Sequence, residues 1–209
     1  MGEAASTKPA EMKIRMSDAT ALGVFGLAMV TLVASSSKLG WTSGTTYVIP
    51  WAIFLGSIAQ IWAARVDFRN NNYFGSIVLG AYGLFWMAVA VHWAISLGWF
   101  GEPGALADTR QIGFAYIGYL VFSLFITVAA CEVNKLFAAI LVLIDVLFVS
   151  LAISALHPSA VAFSHLAAYA EFSISILGFY TCGAIFLNNF FGKQVLPLGK
   201  PFGFIKKAA

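Results

Sequence analysis

Asp145 stands tenth in the 21 residues from Leu136 to Leu156, a stretch with no other ionisable side chain. An acid at the centre of a membrane helix costs roughly 2.5–3.5 kcal/mol on insertion scales. Such groups usually face a bundle interior or a water-filled path, which makes Asp145 a candidate proton relay. The competing reading is structural: a protonated acid hydrogen-bonded to a neighbouring helix. No Lys or Arg stands within the apolar runs to pair with it.

Glu171 is the second acid in an apolar stretch. If the last helix starts near His165, six residues place Glu171 about 9 Å along its axis. It then sits in an outer vestibule or at the interface, and is the other candidate relay. His92 and His165, near the same boundary, are minor candidates for proton handling, with interfacial hydrogen bonding as the plainer reading. Gly56, Gln60, Ala63 and Asp67 recur at steps of three or four, and Tyr116, Ser123 and Thr127, at steps of seven and four, mark a similar face later in the chain. Each set either lines an aqueous path or satisfies neighbouring helices.

These residues are carried by six long apolar runs. The chain of 209 residues is 60% hydrophobic and 10% charged, with a mean hydropathy of +0.86; soluble proteins average about 25% charged. Nineteen uncharged residues separate Asp18 from Lys38, 26 separate Lys38 from Arg65, 32 separate Arg69 from Glu102 and 21 separate Arg110 from Glu132. Crossing the hydrocarbon core takes about 20. The expected architecture is an all-α membrane protein, a bundle of six transmembrane helices near 19–37, 47–66, 73–97, 112–131, 136–156 and 163–191. A polar segment (1–17) precedes the membrane domain (18–192), and a basic tail (193–209) follows. Asp18 precedes the first helix and can accept a backbone N–H there.

With six spans, ten of the twelve Lys and Arg residues fall on the side of the two termini; only Lys38 and Arg110 fall on the other. Positive charge collects on the cytosolic side, so both termini are expected to be cytosolic. The net charge of +3 is then a topology signal, with no nucleic-acid partner implied. A cleaved signal peptide is not expected. Cys131 and Cys182 read as free thiols. Met1-Gly2-Glu3-Ala4-Ala5-Ser6 fits a loose myristoylation pattern, and Lys206-Lys207-Ala208-Ala209 resembles a dilysine retrieval signal; chance occurrence is the plainer reading of both.

Trp41, Tyr47, Trp51 and Trp99 are placed for anchoring at one membrane boundary, Trp62 and Tyr73 at the other. Tyr82 and Trp86 fall near the middle of the third run instead. Small residues at helical spacing (Gly23, Gly26 and Ala34; Ser76, Gly80 and Gly83; Ser175, Gly178 and Cys182) allow close helix approach, within a protomer or between subunits. No Walker A pattern, zinc pair or nucleophile–base set is visible, so neither an enzyme nor a cofactor is expected.

Ile58-Ala59-Gln60-Ile61, Asn72-Tyr73-Phe74-Gly75 and Ala81-Tyr82-Gly83-Leu84-Phe85-Trp86 resemble the acetate uptake transporter family. That family includes YaaH-type succinate–acetate permeases of bacteria and the fungal acetate and ammonia-production proteins. Leu187-Asn188-Asn189, then Phe191-Gly192-Lys193-Gln194-Val195-Leu196-Pro197-Leu198-Gly199, is similar to its closing signature. The resemblance covers roughly residues 18–199. It implies a homo-hexamer in the bilayer with one substrate path per protomer, carrying small carboxylates such as acetate and, in some members, succinate. Carried over motif by motif, it places an apolar constriction at Leu27, Tyr82 and Ile144. Substrate entrance falls to the stretch holding Asp18, Leu22 and Gly23. Gln60 and Trp86 stand beside it as candidates for path lining, and Asp145 and Glu171 as candidate proton relays, on the grounds of residue type and position given above. The family's usual Asn-Pro-x-Pro-Leu-Gly opening is here Asp18-Ala19-Thr20-Ala21-Leu22-Gly23, with both prolines gone. Leu27 replaces an aromatic.

A carboxylate transporter or channel in the plasma membrane is therefore the leading expectation, with an internal membrane as the eukaryotic alternative. The other functional readings are a channel for ammonia/ammonium or a small neutral solute, and a non-transporting membrane sensor or assembly protein.

Overall fold

A computed structural model describes residues 17–101 and 108–205. The myristoylation pattern and the dilysine pattern lie outside the described residues. Among the described residues, six helices are long and apolar enough to cross a membrane: α1 (Thr20–Lys38), α2 (Val48–Arg69), α3 (Tyr73–Ser96), α4 (Gln111–Cys131), α5 (Lys135–Leu156) and α6 (Val161–Phe191). Apart from one backbone bridge between Trp99 and Gly101, the described residues are helical or irregular. The protein is an all-α, multi-pass membrane protein.

Local chemistry sets several helix ends. Asn72 Oδ1 accepts the Gly75 N–H at 3.2 Å and Asn134 Oδ1 accepts the Phe137 N–H at 2.9 Å, each satisfying a donor that the first turn leaves open. Gly192 closes α6 in the left-handed region at φ 61°, where the missing side chain removes the steric cost. At 31 residues, α6 is roughly 46 Å long and outruns the hydrocarbon core. It starts at Val161, so Glu171 lies about 15 Å along its axis, deeper than a start near His165 would put it.

α1 packs between α2 and α6, α3 lies on α2, and α5 lies between α4 and α6. Close backbone approach explains the first arrangement. A Cβ on Gly26 would run into the Leu55 carbonyl oxygen, and one on Gly178 would lie 3.0 Å from the Ala28 Cβ. α3 reaches α4 and α5 differently, through large side chains: Phe85 and Phe148 have ring centroids 5.2 Å apart, Phe74 and Phe137 6.0 Å.

α2 is not a uniform α-helix. After one turn containing Pro50, residues Ala52–Ala59 form a π-helix, and the α-helix resumes at Gln60. Widened turns of this kind recur at functional sites. Here the segment carries Leu55, whose carbonyl meets Gly26, and Gly56, against which Trp86 packs. Gly56, Gln60, Ala63 and Asp67 are all buried, so the small and polar face of α2 turns inward.

Candidate substrate path

Tyr82 and Ile144 are each 4% exposed and belong to one apolar cluster, against which half-buried Leu27 packs. The three come from α3, α5 and α1. Tyr82 is surrounded by rings, stacked with Phe148 at 6.3 Å and Tyr119 at 6.5 Å and edge-on to Phe122 at 6.2 Å. Its hydroxyl donates to Ser123 Oγ at 2.9 Å, which removes an otherwise costly orphan donor. Trp86, one turn on, is buried and lies edge-on to Phe85 at 5.5 Å.

Gln60 sits beside this layer. Its side chain touches the Gly26 position next to Leu27. It is 1% exposed, yet Nε2 has no hydrogen-bond partner among the described residues. Ser57 Oγ, Ser175 Oγ and Thr181 Oγ1 are likewise buried and unpartnered. An orphaned buried polar group costs about 1–3 kcal/mol, so four of them in the packed interior offer hydrogen bonds to a solute that enters.

The two acids of the apolar runs lie apart. Glu171 is 1% exposed, and its Oε2 accepts from Lys38 Nζ at 2.8 Å. Asp145 is half-buried; its Oδ2 accepts from Thr127 Oγ1 at 2.7 Å, and its Oδ1 is unpartnered. Asp67, buried at the other end of α2, packs against Gly75 and Asn72.

The remaining sequence-selected residues divide. Gly23 is buried against Leu79 and Ala63. Leu22 is 43% exposed and faces a surface groove with Trp62 and Arg65, away from the apolar cluster. Asp18 is exposed; it accepts the Thr20 N–H and the Asn189 amide, both at 2.8 Å, and so ties the start of α1 to the end of α6. Partial desolvation pushes its carboxyl up, but the bonds from Thr20 and Asn189 outweigh that and leave it below the ordinary value.

A groove of about 960 Å³ opens between α3 and α4. Val78, one turn before Tyr82, and Phe122, in ring contact with Tyr82, line it, as do Asn72 and Glu132 at the end nearest the tail. The tail borders this opening: Ile205 lines it, and Glu132 Oε1 accepts the backbone N–H groups of Phe204 and Ile205 at 2.7 and 3.0 Å.

Sequence reasoning missed three pairings, Lys38 with Glu171, Thr127 with Asp145 and Ser123 with Tyr82. In sequence, Thr127 and Ser123 form one polar face of α4, which is the available signal, and Lys38 reads only as a topology marker.

Among known proteins, the succinate-acetate/proton symporter SatP of Escherichia coli (strain K12) is 28% identical over 188 residues, covering 89% of this chain and 97% of that protein. The ammonia transport outward protein 2 of Saccharomyces cerevisiae is 28% identical over 140 residues, which span 49% of the yeast protein. A solved structure of the bacterial acetate channel SatP superposes with a TM-score of 0.80 at 26% identity, covering 88% of this chain and 99% of that one. The profile of the GPR1/FUN34/yaaH family matches residues 2–200. The chain belongs to the GPR1/FUN34/yaaH family.

Proposed function

We propose that the protein carries small carboxylates across a membrane, with acetate as the first substrate and succinate as the second. The observation that carries this reading is the likeness to SatP, which runs along nearly the whole of both chains in sequence and in fold. One of those relatives is named a proton symporter and the other a channel.

The path runs through the layer formed by Leu27, Tyr82 and Ile144. An ionised carboxylate pays a large desolvation cost in an apolar ring, and a protonated acid pays far less. Donors beside the ring reduce that cost, and Gln60 Nε2 has a free N–H at that point. Trp86 and Gly23 shape the walls on either side of the layer, while Asp18 marks the cytosolic mouth; Leu22, turned to the surface groove, stands outside the path. Asp145 and Glu171 are the groups able to take up a proton with the solute. Both termini lie in the cytosol, and six copies assemble with one path in each.

A second reading, ammonia or ammonium passage, is favoured by the name of the yeast relative. Flux of labelled acetate, succinate, lactate and ammonium into liposomes, with and without a pH gradient, separates the two. Saturable acetate uptake supports the carboxylate reading. Ammonium flux without acetate flux overturns it.

A further inference from the structure

Lys38 and Glu171 form an asymmetric ion pair. The carboxylate is 1% exposed, whereas the lysine side chain is 28% exposed. An ammonium has three N–H donors; one is given to Glu171 Oε2 at 2.8 Å, its sole partner among the described residues. With the orientation proposed above, Lys38 is on the outer side. A solute arriving there meets the cation before it meets the acid behind it.

We infer that the Lys38 ammonium is the outer receiving site for the substrate carboxylate, and that Glu171 is a built-in carboxylate occupying it until substrate arrives. This rests on the carboxylate reading above and adds to it the group that first holds the anion. The chemistry is a like-for-like exchange, since the side chain of Glu171 ends in the same group as acetate. Trp41, three residues past the end of α1, and Phe172, next to Glu171 on α6, are edge-on at 5.1 Å and provide an apolar wall suited to a short alkyl chain. Ser175, one turn from Glu171 along α6, is 1% exposed with an unpartnered Oγ. It offers the carboxylate its next hydrogen bond on the way in.

Charge balance gives the exchange a consequence. When the substrate anion takes Lys38, Glu171 is left as an uncompensated buried carboxylate, which is costly. Uptake of one proton from the outer solution neutralises it. The balanced step is one substrate anion and one proton in, with the Lys38–Glu171 bond broken and the Lys38–substrate bond formed. Among the described residues, the ionisable groups that interact with Glu171 are Lys38 from α1 and Tyr116 from α4.

The test is the acetate concentration dependence of flux into proteoliposomes, together with acetate binding to detergent-solubilised protein by saturation-transfer NMR. Glu171→Gln removes the competitor, and lowers the half-saturation concentration roughly five- to tenfold at neutral pH while flattening its pH dependence. Lys38→Met raises it. Because Lys38→Met alone strands a buried acid, the double variant Lys38→Met/Glu171→Gln is the control for folding, and in it the gain from Glu171→Gln disappears. Flux retained with half-saturation within about twofold of wild type in both Glu171→Gln and the double variant overturns the site and leaves the transport reading standing. Lys38-dependent acetate binding without flux keeps the site and overturns the transport reading. Neither binding nor flux overturns both.

Discussion

Glu171 and Asp145 are both acids inside apolar helices, and the fold treats them differently. Glu171 is deeply buried and held by a full positive charge, Lys38, from a helix 133 residues away in sequence. Asp145 is only half-buried and has a neutral hydroxyl, Thr127, as its partner. The first pair joins α1 to α6, two helices in close contact; the second joins α5 to α4, whose surface is the least covered of the six. A charge balanced by a charge resists being opened one side at a time, because either half alone is costly. A hydroxyl bond opens at much lower cost. The difference fits the proposed roles, in which Glu171 exchanges with a competing anion and is protonated as it does so, while Asp145 carries a proton or fastens α5.

The largest effect should come from breaking the first pair on its cationic side. Lys38→Met leaves a buried carboxylate alone and is expected to cost about 3–5 kcal/mol of stability, read as thermal unfolding in detergent. Adding Glu171→Gln should recover most of that loss. If the single and double variants unfold alike, the pair has no special standing and the comparison fails.

Thr127→Val removes the hydroxyl donor from Asp145. Interhelical bonds of this kind contribute roughly 0.5–2 kcal/mol in membranes, so the same unfolding measurement should show a clearly smaller loss than Lys38→Met. Asp145→Asn keeps an acceptor for Thr127 but cannot carry a proton. It is expected to weaken the pH dependence of acetate uptake with little change in unfolding; unchanged flux dependence across about pH 5–8 would assign Asp145 to helix packing alone.

The smallest effect belongs to Asp18, a surface acid that serves as an outside reference for both. Its folded-state pKa lies below the ordinary value of 3.8. Its contribution is therefore complete above that value and is lost as pH falls through the lower folded one. Asp18→Asn should cost no more than about 1 kcal/mol at neutral pH and nothing in strong acid, measured by unfolding across pH.

The six-helix class was legible because length, apolarity and charge asymmetry are properties of runs, and runs survive without knowledge of neighbours. The family was legible because Tyr82, Gly83 and Trp86 stand at fixed spacing in one segment and the Phe191–Gly199 motif in another. What escaped depends on contact between distant segments. The π-helix at Ala52–Ala59 accompanies the close approach of Gly26 to the Leu55 carbonyl, and nothing local to α2 beyond Pro50 announces it. Lys38 reads as a loop-flanking cation until α6 is laid against α1. Thr127 shows its polarity in sequence, but its partner on α5 is chosen by helix packing. Leu22 lies beside Gly23 in sequence, yet one helical step of about 100° turns it out of the interior that Gly23 enters.

The central claim is that a small carboxylate passes the layer of Leu27, Tyr82 and Ile144. The most direct measurement compares labelled acetate flux in Ile144→Trp and Val142→Trp proteoliposomes, each checked for monodisperse protein before reconstitution. Ile144 is 4% exposed and Val142, on the outer face of the same helix, is 50% exposed. Ile144→Trp is expected to lose acetate flux by about tenfold or more while Val142→Trp keeps it. Acetate flux at the wild-type rate in a well-folded Ile144→Trp protein would contradict the central claim.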